Sequence, residues 1–116
     1  MKIINRSEFL KLPAGTLYSE FKLCVFDGLF VKGKTVGGDY YEESLIGNVA
    51  ADSSEQFNDI LFAAVAGAYL QLEFYSIARN GMLNQGQLYA VYGLDEIKQL
   101  IMRLTECVSS RERNEI

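Results

Sequence analysis

Residues 28–35 read Gly28-Leu29-Phe30-Val31-Lys32-Gly33-Lys34-Thr35, a stretch that satisfies the phosphate-loop pattern G-x-x-x-x-G-K-[ST] at every fixed position. Its reading decides the fold. A phosphate loop needs a strand before it and a helix after it, because its turn aims backbone N–H groups at the phosphates and the helix N-terminus adds positive potential. Here Leu29, Phe30 and Val31 are bulky and β-prone where the turn belongs, and Thr35 is followed by Val36-Gly37-Gly38-Asp39, which cannot begin a stable helix. The usual nucleoside-triphosphate fold also needs several βαβ units, and no helical pattern separates the first strands. GLFVKGKT is therefore read as a chance match lying on a β-strand, with Lys34 on an exposed face.

Working outward, the alternation from Thr16 to Val25 predicts a strand, Asp27-Gly28 a hairpin turn, and Leu29 to Val36 the partner strand. Upstream, Ser7 to Leu12 predicts a short helix with Ser7 near its N-cap, stopped by Pro13 and Gly15. Downstream, Gly37-Gly38-Asp39 predicts a turn and Tyr40 to Ala51 a strand bulged at Gly47. Asp52-Ser53-Ser54-Glu55-Gln56 carries a capping box, and Phe57, Ile60, Leu61, Ala64, Val65 and Ala68 form the apolar stripe of a helix ending near Gly67. Strands follow over Leu70–Ile77 and Leu88–Tyr92, separated by a loop marked by Asn80-Gly81 and Asn84-Gln85-Gly86. A last amphipathic helix runs from Leu94 to Val108, and residues 109–116 read as a frayed polar tail.

This order predicts an α+β fold: one mainly antiparallel sheet of about five strands, two main amphipathic helices packed on one face, and a short N-terminal helix. With 116 residues, 49% hydrophobic and 22% charged, the chain reads as a single domain, 1–116, able to bury roughly two-thirds of its unfolded surface. A single layer with helices on one side leaves a face or edge to cover, which predicts a homo-oligomer, most simply a dimer. No apolar segment has the length of a membrane span or the form of a signal peptide, so the expected location is cytoplasmic, with no membrane partner.

Several chemistries drop out on composition. The chain has no histidine, which removes Ser-His-Asp and Cys-His catalysis and His-rich metal sites. Cys24 and Cys107 form neither a zinc pattern nor a compact disulfide framework and are expected to be reduced and mostly buried. Glu42-Glu43 is a carboxylate pair, but adjacent strand residues point to opposite faces and cannot share a substrate. The expectation is a protein without catalytic residues, cofactor or metal.

Charge is distributed unevenly. Residues 1–37 carry six basic and three acidic side chains, 38–75 carry seven acidic and no basic ones, and 76–116 carry five of each. The middle third is thus a candidate surface for a basic partner. Its acidic residues flank Tyr40-Tyr41, two adjacent strand aromatics that cannot both face one core. The candidate partner-binding set is Asp39, Tyr40, Tyr41, Glu42, Glu43, Asp52, Glu55 and Asp59. Direct contact with nucleic acid is not expected there, since stacking platforms come with basic grooves.

The opening MKIINRSEFLKLPAGTLYSEF, the following Cys24-Val25-Phe26-Asp27-Gly28-Leu29, and the Arg79-Asn80-Gly81-Met82-Leu83 segment resemble small uncharacterised proteins of tailed phages and prophages of enteric bacteria. The likeness carries no functional motif, and over Phe74–Arg79 this chain lacks the acidic character expected of the relatives. It implies a class of role: an accessory protein that binds a host protein, blunting a defence or nucleic-acid-binding factor. The alternative is an oligomeric small-molecule binder that traps a nucleotide signal. That ligand would need cations, and those at hand are Lys22, Lys32, Lys34 and the isolated Arg79.

Overall fold

The computed structural model describes residues 1–79 and 85–114. Eight strands and three helices follow one another as β1 (Lys2–Asn5), α1 (Arg6–Leu10), β2 (Leu17–Lys22), β3 (Val25–Val36), β4 (Asp39–Ser44), β5 (Asn48–Val49), α2 (Ser54–Val65), β6 (Leu72–Glu73), β7 (Ile77–Arg79), β8 (Leu88–Val91) and α3 (Leu94–Asn114). Six strands form one sheet in the order β1-β8-β2-β3-β4-β7, every neighbouring pair antiparallel, and β5 and β6 form a separate two-stranded ribbon. The fold is α+β. Asn80, Gly81 and Asn84 of the expected loop, and the Asn80–Leu83 part of the resemblance, lie outside the described residues. Among the described residues, no helix is long and apolar enough to cross a membrane.

The stretch Gly28–Thr35 lies wholly within β3, a strand of 12 residues. Both glycines of the apparent phosphate loop are β-bulges. Opposite β2, Ser19 faces the pair Gly28-Leu29; opposite β4, Tyr41 faces the pair Gly33-Lys34. Gly28 has φ +73, and a Cβ there would strike the Phe30 ring. A Cβ on Gly33 would lie 2.8 Å from the Tyr41 Cβ. Each bulge inserts one residue and so exchanges the faces that later side chains occupy. Phe30 and Lys32 consequently share a face with Thr35, which strict alternation would place on the opposite side. From there Lys32 Nζ donates to Thr35 Oγ1 at 2.7 Å, and Thr35 Oγ1 donates to the Leu10 carbonyl at 2.6 Å, tying β3 to the end of α1.

The hairpin expected at Asp27-Gly28 is made instead by Leu23-Cys24. A two-residue connection between β2 and β3 needs positive φ at both central positions to match the strand twist. Leu23 and Cys24 supply it at φ 48 and 62 without being the Asn or Gly that adopt such angles readily. The register beyond the turn holds them there: Phe21 pairs with Phe26, their rings 5.6 Å apart, and Lys22 contacts both Glu20 and Asp27. Cys24 is therefore exposed rather than part of the core, and Cys107 is exposed as well, against the expectation of buried thiols.

The core lies between the sheet and α1. Asn5, not Ser7, caps this helix, its Oδ1 accepting from the Glu8 N–H at 2.9 Å. Phe9 is fully buried at the centre. Its ring stacks on Tyr89 with centroids 3.9 Å apart and 6° between planes, and meets Tyr18 and Tyr40 edge-on at 4.6 and 5.0 Å. Ile4, Leu10, Leu12, Phe30 and Val91 pack around this cluster.

The two long helices do not cover the sheet as expected. Helix α2 is capped as its sequence indicates, with Ser53 Oγ accepting from the Gln56 N–H at 3.1 Å and Gly67 just beyond its end at φ +104. Yet neither α2 nor α3 buries a single residue. Val65 is 90% exposed and Leu104 60%. The Cα radius of gyration is 16.6 Å, against about 13 Å for a compact chain of this length. Residues 109–114, read as a frayed tail, continue α3. The expected strand over Leu70–Ile77 is also divided: β6 joins the ribbon and β7 the edge of the main sheet.

Two stability measurements follow. Phe9→Ala should lower the free energy of unfolding by about 3–5 kcal/mol in a urea titration, and a wild-type-like midpoint would show that α1 does not cover the core. Replacing the turn by Leu23→Asn and Cys24→Gly should raise stability by about 1 kcal/mol through relief of left-handed strain, whereas a loss would place the turn elsewhere.

Candidate functional site

The eight residues of the acidic-aromatic set fall into three separate places. Asp39 and Tyr40 are interior, contrary to the expected surface patch. Asp39 Oδ2 accepts from Arg79 Nε at 2.9 Å, and Oδ1 lies 3.7 Å from Arg6 Nη2. Tyr40 is fully buried, and its hydroxyl donates to the Tyr89 hydroxyl at 3.3 Å. Two-residue periodicity sends Glu42 to the same side, where it accepts the Tyr18 hydroxyl at 2.6 Å. Tyr40 is an interior ring rather than a surface anchor because α1 brings Phe9 and Arg6 over it; the Arg6 guanidinium carbon sits 5.4 Å from its ring centroid.

Arg6 and Lys32 are the members of this interior that sequence reading missed. Arg6 is 3% exposed and donates through Nη1 to Tyr89 and through Nη2 to the Gly38 carbonyl, both at 2.9 Å. Lys32 is 1% exposed; besides Thr35 it donates to the Gly33 carbonyl at 3.0 Å, and its Nζ lies 5.8 Å from the Phe9 ring centroid. Burial pushes the Lys32 ammonium below its ordinary pKa. Burial, reinforced by the hydrogen bond to Glu42, holds the Tyr18 hydroxyl far above the usual tyrosine range. Burial, reinforced by Tyr89, does the same to Tyr40. The interior is thus a network of cations, phenols and carboxylates that leaves one buried atom, Arg6 Nε, without a hydrogen bond among the described residues.

On the other face of β4, Tyr41 and Glu43 are half-buried and line a cleft of about 590 Å³ with Ala14, Val31, Lys34 and Ile77. The Gly33 bulge lies at this cleft, where the absent side chain leaves room beside Tyr41. Of the four cations available to an anionic ligand, Lys22 is held by Glu20 and Asp27, Lys32 is interior, and Arg79 is held by Asp39. Lys34 is the one of the four that is exposed and lines the cleft, which Glu43 also lines.

The third place is the start of α2. Asp52, Glu55 and Asp59 are exposed there, and Asp52 lines a polar cleft together with Glu73 of β6. None of Glu43, Asp52, Glu55, Asp59 and Glu73 makes an ion pair among the described residues. No group of three metal-binding side chains occurs among them either.

The raised tyrosines set a pH dependence. Both states keep Tyr18 and Tyr40 protonated below the ordinary value of 10.0; above it the unfolded chain loses those protons and the folded one retains them, so stability should fall as pH rises past about 10. Tyrosinate absorbance should show Tyr18 and Tyr40 titrating only with alkaline unfolding. Reversible titration of all the tyrosines while the sheet persists would contradict the burial.

No family model matches the chain, and no curated protein or solved structure matches it.

Proposed function

We propose that this chain is a non-enzymatic accessory protein of a tailed phage or prophage, acting in the bacterial cytoplasm, and that it binds a host protein with a basic surface. The observation that carries this reading is the uncompensated acid at the start of α2 and in the ribbon beside it. From Gly38 to Ala78 there is no basic residue. Asp39 is neutralised by Arg6 and Arg79 and Glu42 is engaged by Tyr18, which leaves Asp52, Glu55, Asp59 and Glu73 facing solvent, with Glu43 at the edge of the outer cleft. The binding surface is therefore narrower than the charge count along the chain implied, and it excludes Asp39, Tyr40 and Glu42. A partner that normally holds nucleic acid fits such a surface, because acid arrayed on a rigid helix presents the charge its basic groove is built to meet.

The outer cleft supports a second reading, capture of a small molecule. Its charge favours a ligand other than a nucleotide: Lys34 shares the cleft with Glu43, and the remaining nearby cations are engaged. The two readings part in one experiment. The immobilised full chain is exposed to host lysate and the captured proteins identified, while molecules released on heating the purified protein are identified by mass spectrometry. The expected result is a basic host protein whose association slows by about tenfold on Glu55→Lys plus Asp59→Lys and slows further as salt screens the surface. Capture of an acidic protein, or association indifferent to both charge and salt, contradicts the acidic-surface reading. A bound small molecule with no captured protein favours the cleft.

A further inference from the structure

Helix α3 carries a second pattern besides its amphipathic stripe. Leu94, Ile97, Ile101, Leu104 and Val108 follow one another at spacings of three, four, three and four, with Arg111 in the next position of the series. This is the a/d spacing of a coiled-coil seam, widened on one side by the half-buried Leu100. The seam is half-buried at Ile97 and exposed elsewhere: Leu94 is 67% exposed, Ile101 58%, Leu104 60% and Val108 55%. From Ile101 onward the seam lies open to solvent, and an apolar surface of this kind marks an interface.

The charges on the helix specify the occupant. Its first turn is acidic, with Asp95 and with Glu96, which pairs with the Met1 ammonium, and its last turn is basic, with Arg111 and Arg113. A second copy laid antiparallel about a two-fold axis brings the acidic end of each helix against the basic end of the other. In the register that pairs Ile101 with Leu104 of the partner subunit, Ile97 meets Val108 of the partner subunit, and Leu94 and Asp95 meet Arg111 of the partner subunit. A parallel arrangement would instead set Asp95 against Asp95 and Arg111 against Arg111. Antiparallel helices also place each positive dipole end beside a negative one. We infer that α3 is the dimerisation element of this protein and that two copies associate through an antiparallel α3 pair. The interface is isologous, so it closes at two subunits. It accounts for the two features of α3 that the single chain leaves unexplained, its length beyond the sheet and the open part of its seam. This inference stands apart from the proposed host partner, which engages α2.

Sedimentation equilibrium of the full chain tests it. The wild type should be a dimer in the micromolar range, and Ile101→Glu or Leu104→Glu should raise the dissociation constant by at least about 30-fold, as for other central seam residues. The near-ultraviolet dichroism of the buried tyrosines serves as the control for an intact sheet. Orientation is read from a charge swap: Arg111→Glu and Asp95→Arg should each weaken the dimer roughly two- to fivefold, and the double variant should recover. A 13.0 kDa monomer at high micromolar concentration overturns the inference, as does a dimer indifferent to both seam substitutions. Recovery failing in the double variant overturns the antiparallel arrangement.

Discussion

The stacking of Phe9 on Tyr89 is the contact on which the rest of the fold depends. A helix of 5 residues has no stability of its own, since nucleation consumes what so few hydrogen bonds return. Phe9 holds α1 against the sheet by meeting three buried tyrosines at once, and each such aromatic contact adds about 0.5–1.5 kcal/mol beyond area burial. With α1 in place, Arg6 arrives over Tyr40, Tyr89 and Asp39, and the Leu10 carbonyl meets Thr35. Without it, three phenols, a lysine and an aspartate would face solvent on an open sheet.

That arrangement requires β3 to change face twice. Gly28 and Gly33 make it do so, and through them the apparent phosphate loop becomes the element that carries Phe30, Lys32 and Thr35 to the covered side. Both glycines matter for what they lack, a Cβ, rather than for any approach to phosphate. The strand character of this stretch was legible from Leu29-Phe30-Val31 and from the Gly-Gly turn after Val36. The bulges were not, because a glycine within a β-prone run signals a turn as readily as an inserted residue, and Asp27-Gly28 is among the commonest turn signals. The true turn, Leu23-Cys24, has no signature at all; register on either side imposes its angles.

The helix starting after Ser53 was readable to its cap and its end, since capping is local chemistry. What its stripe and that of α3 pack against was not, because periodicity reports which side of a helix is apolar and is silent about the molecule that covers it. The acidic set failed in part for a similar reason. Counting charge along the chain left Asp39 unpaired, whereas Arg6 and Arg79 reach it through the fold. Asp52, Glu55 and Asp59 kept their exposed character because, among the described residues, no basic side chain pairs with them. The fold that results has two unlike regions: a cross-braced sheet under α1, and long helices whose apolar stripes are at most half-buried in the single chain.

Hydrogen exchange followed by mass spectrometry as a function of protein concentration tests this division most directly. Amides of β2, β3, β4 and β8 should be protected to the same degree at every concentration, since the Phe9 cluster is complete within one chain. Amides of α3 should exchange rapidly in dilute protein and become protected as concentration rises and the second copy covers Leu94–Val108. Protection of α3 equal to that of the sheet and unchanged on dilution would contradict the account, because it would mean that the helix is already held by its own chain.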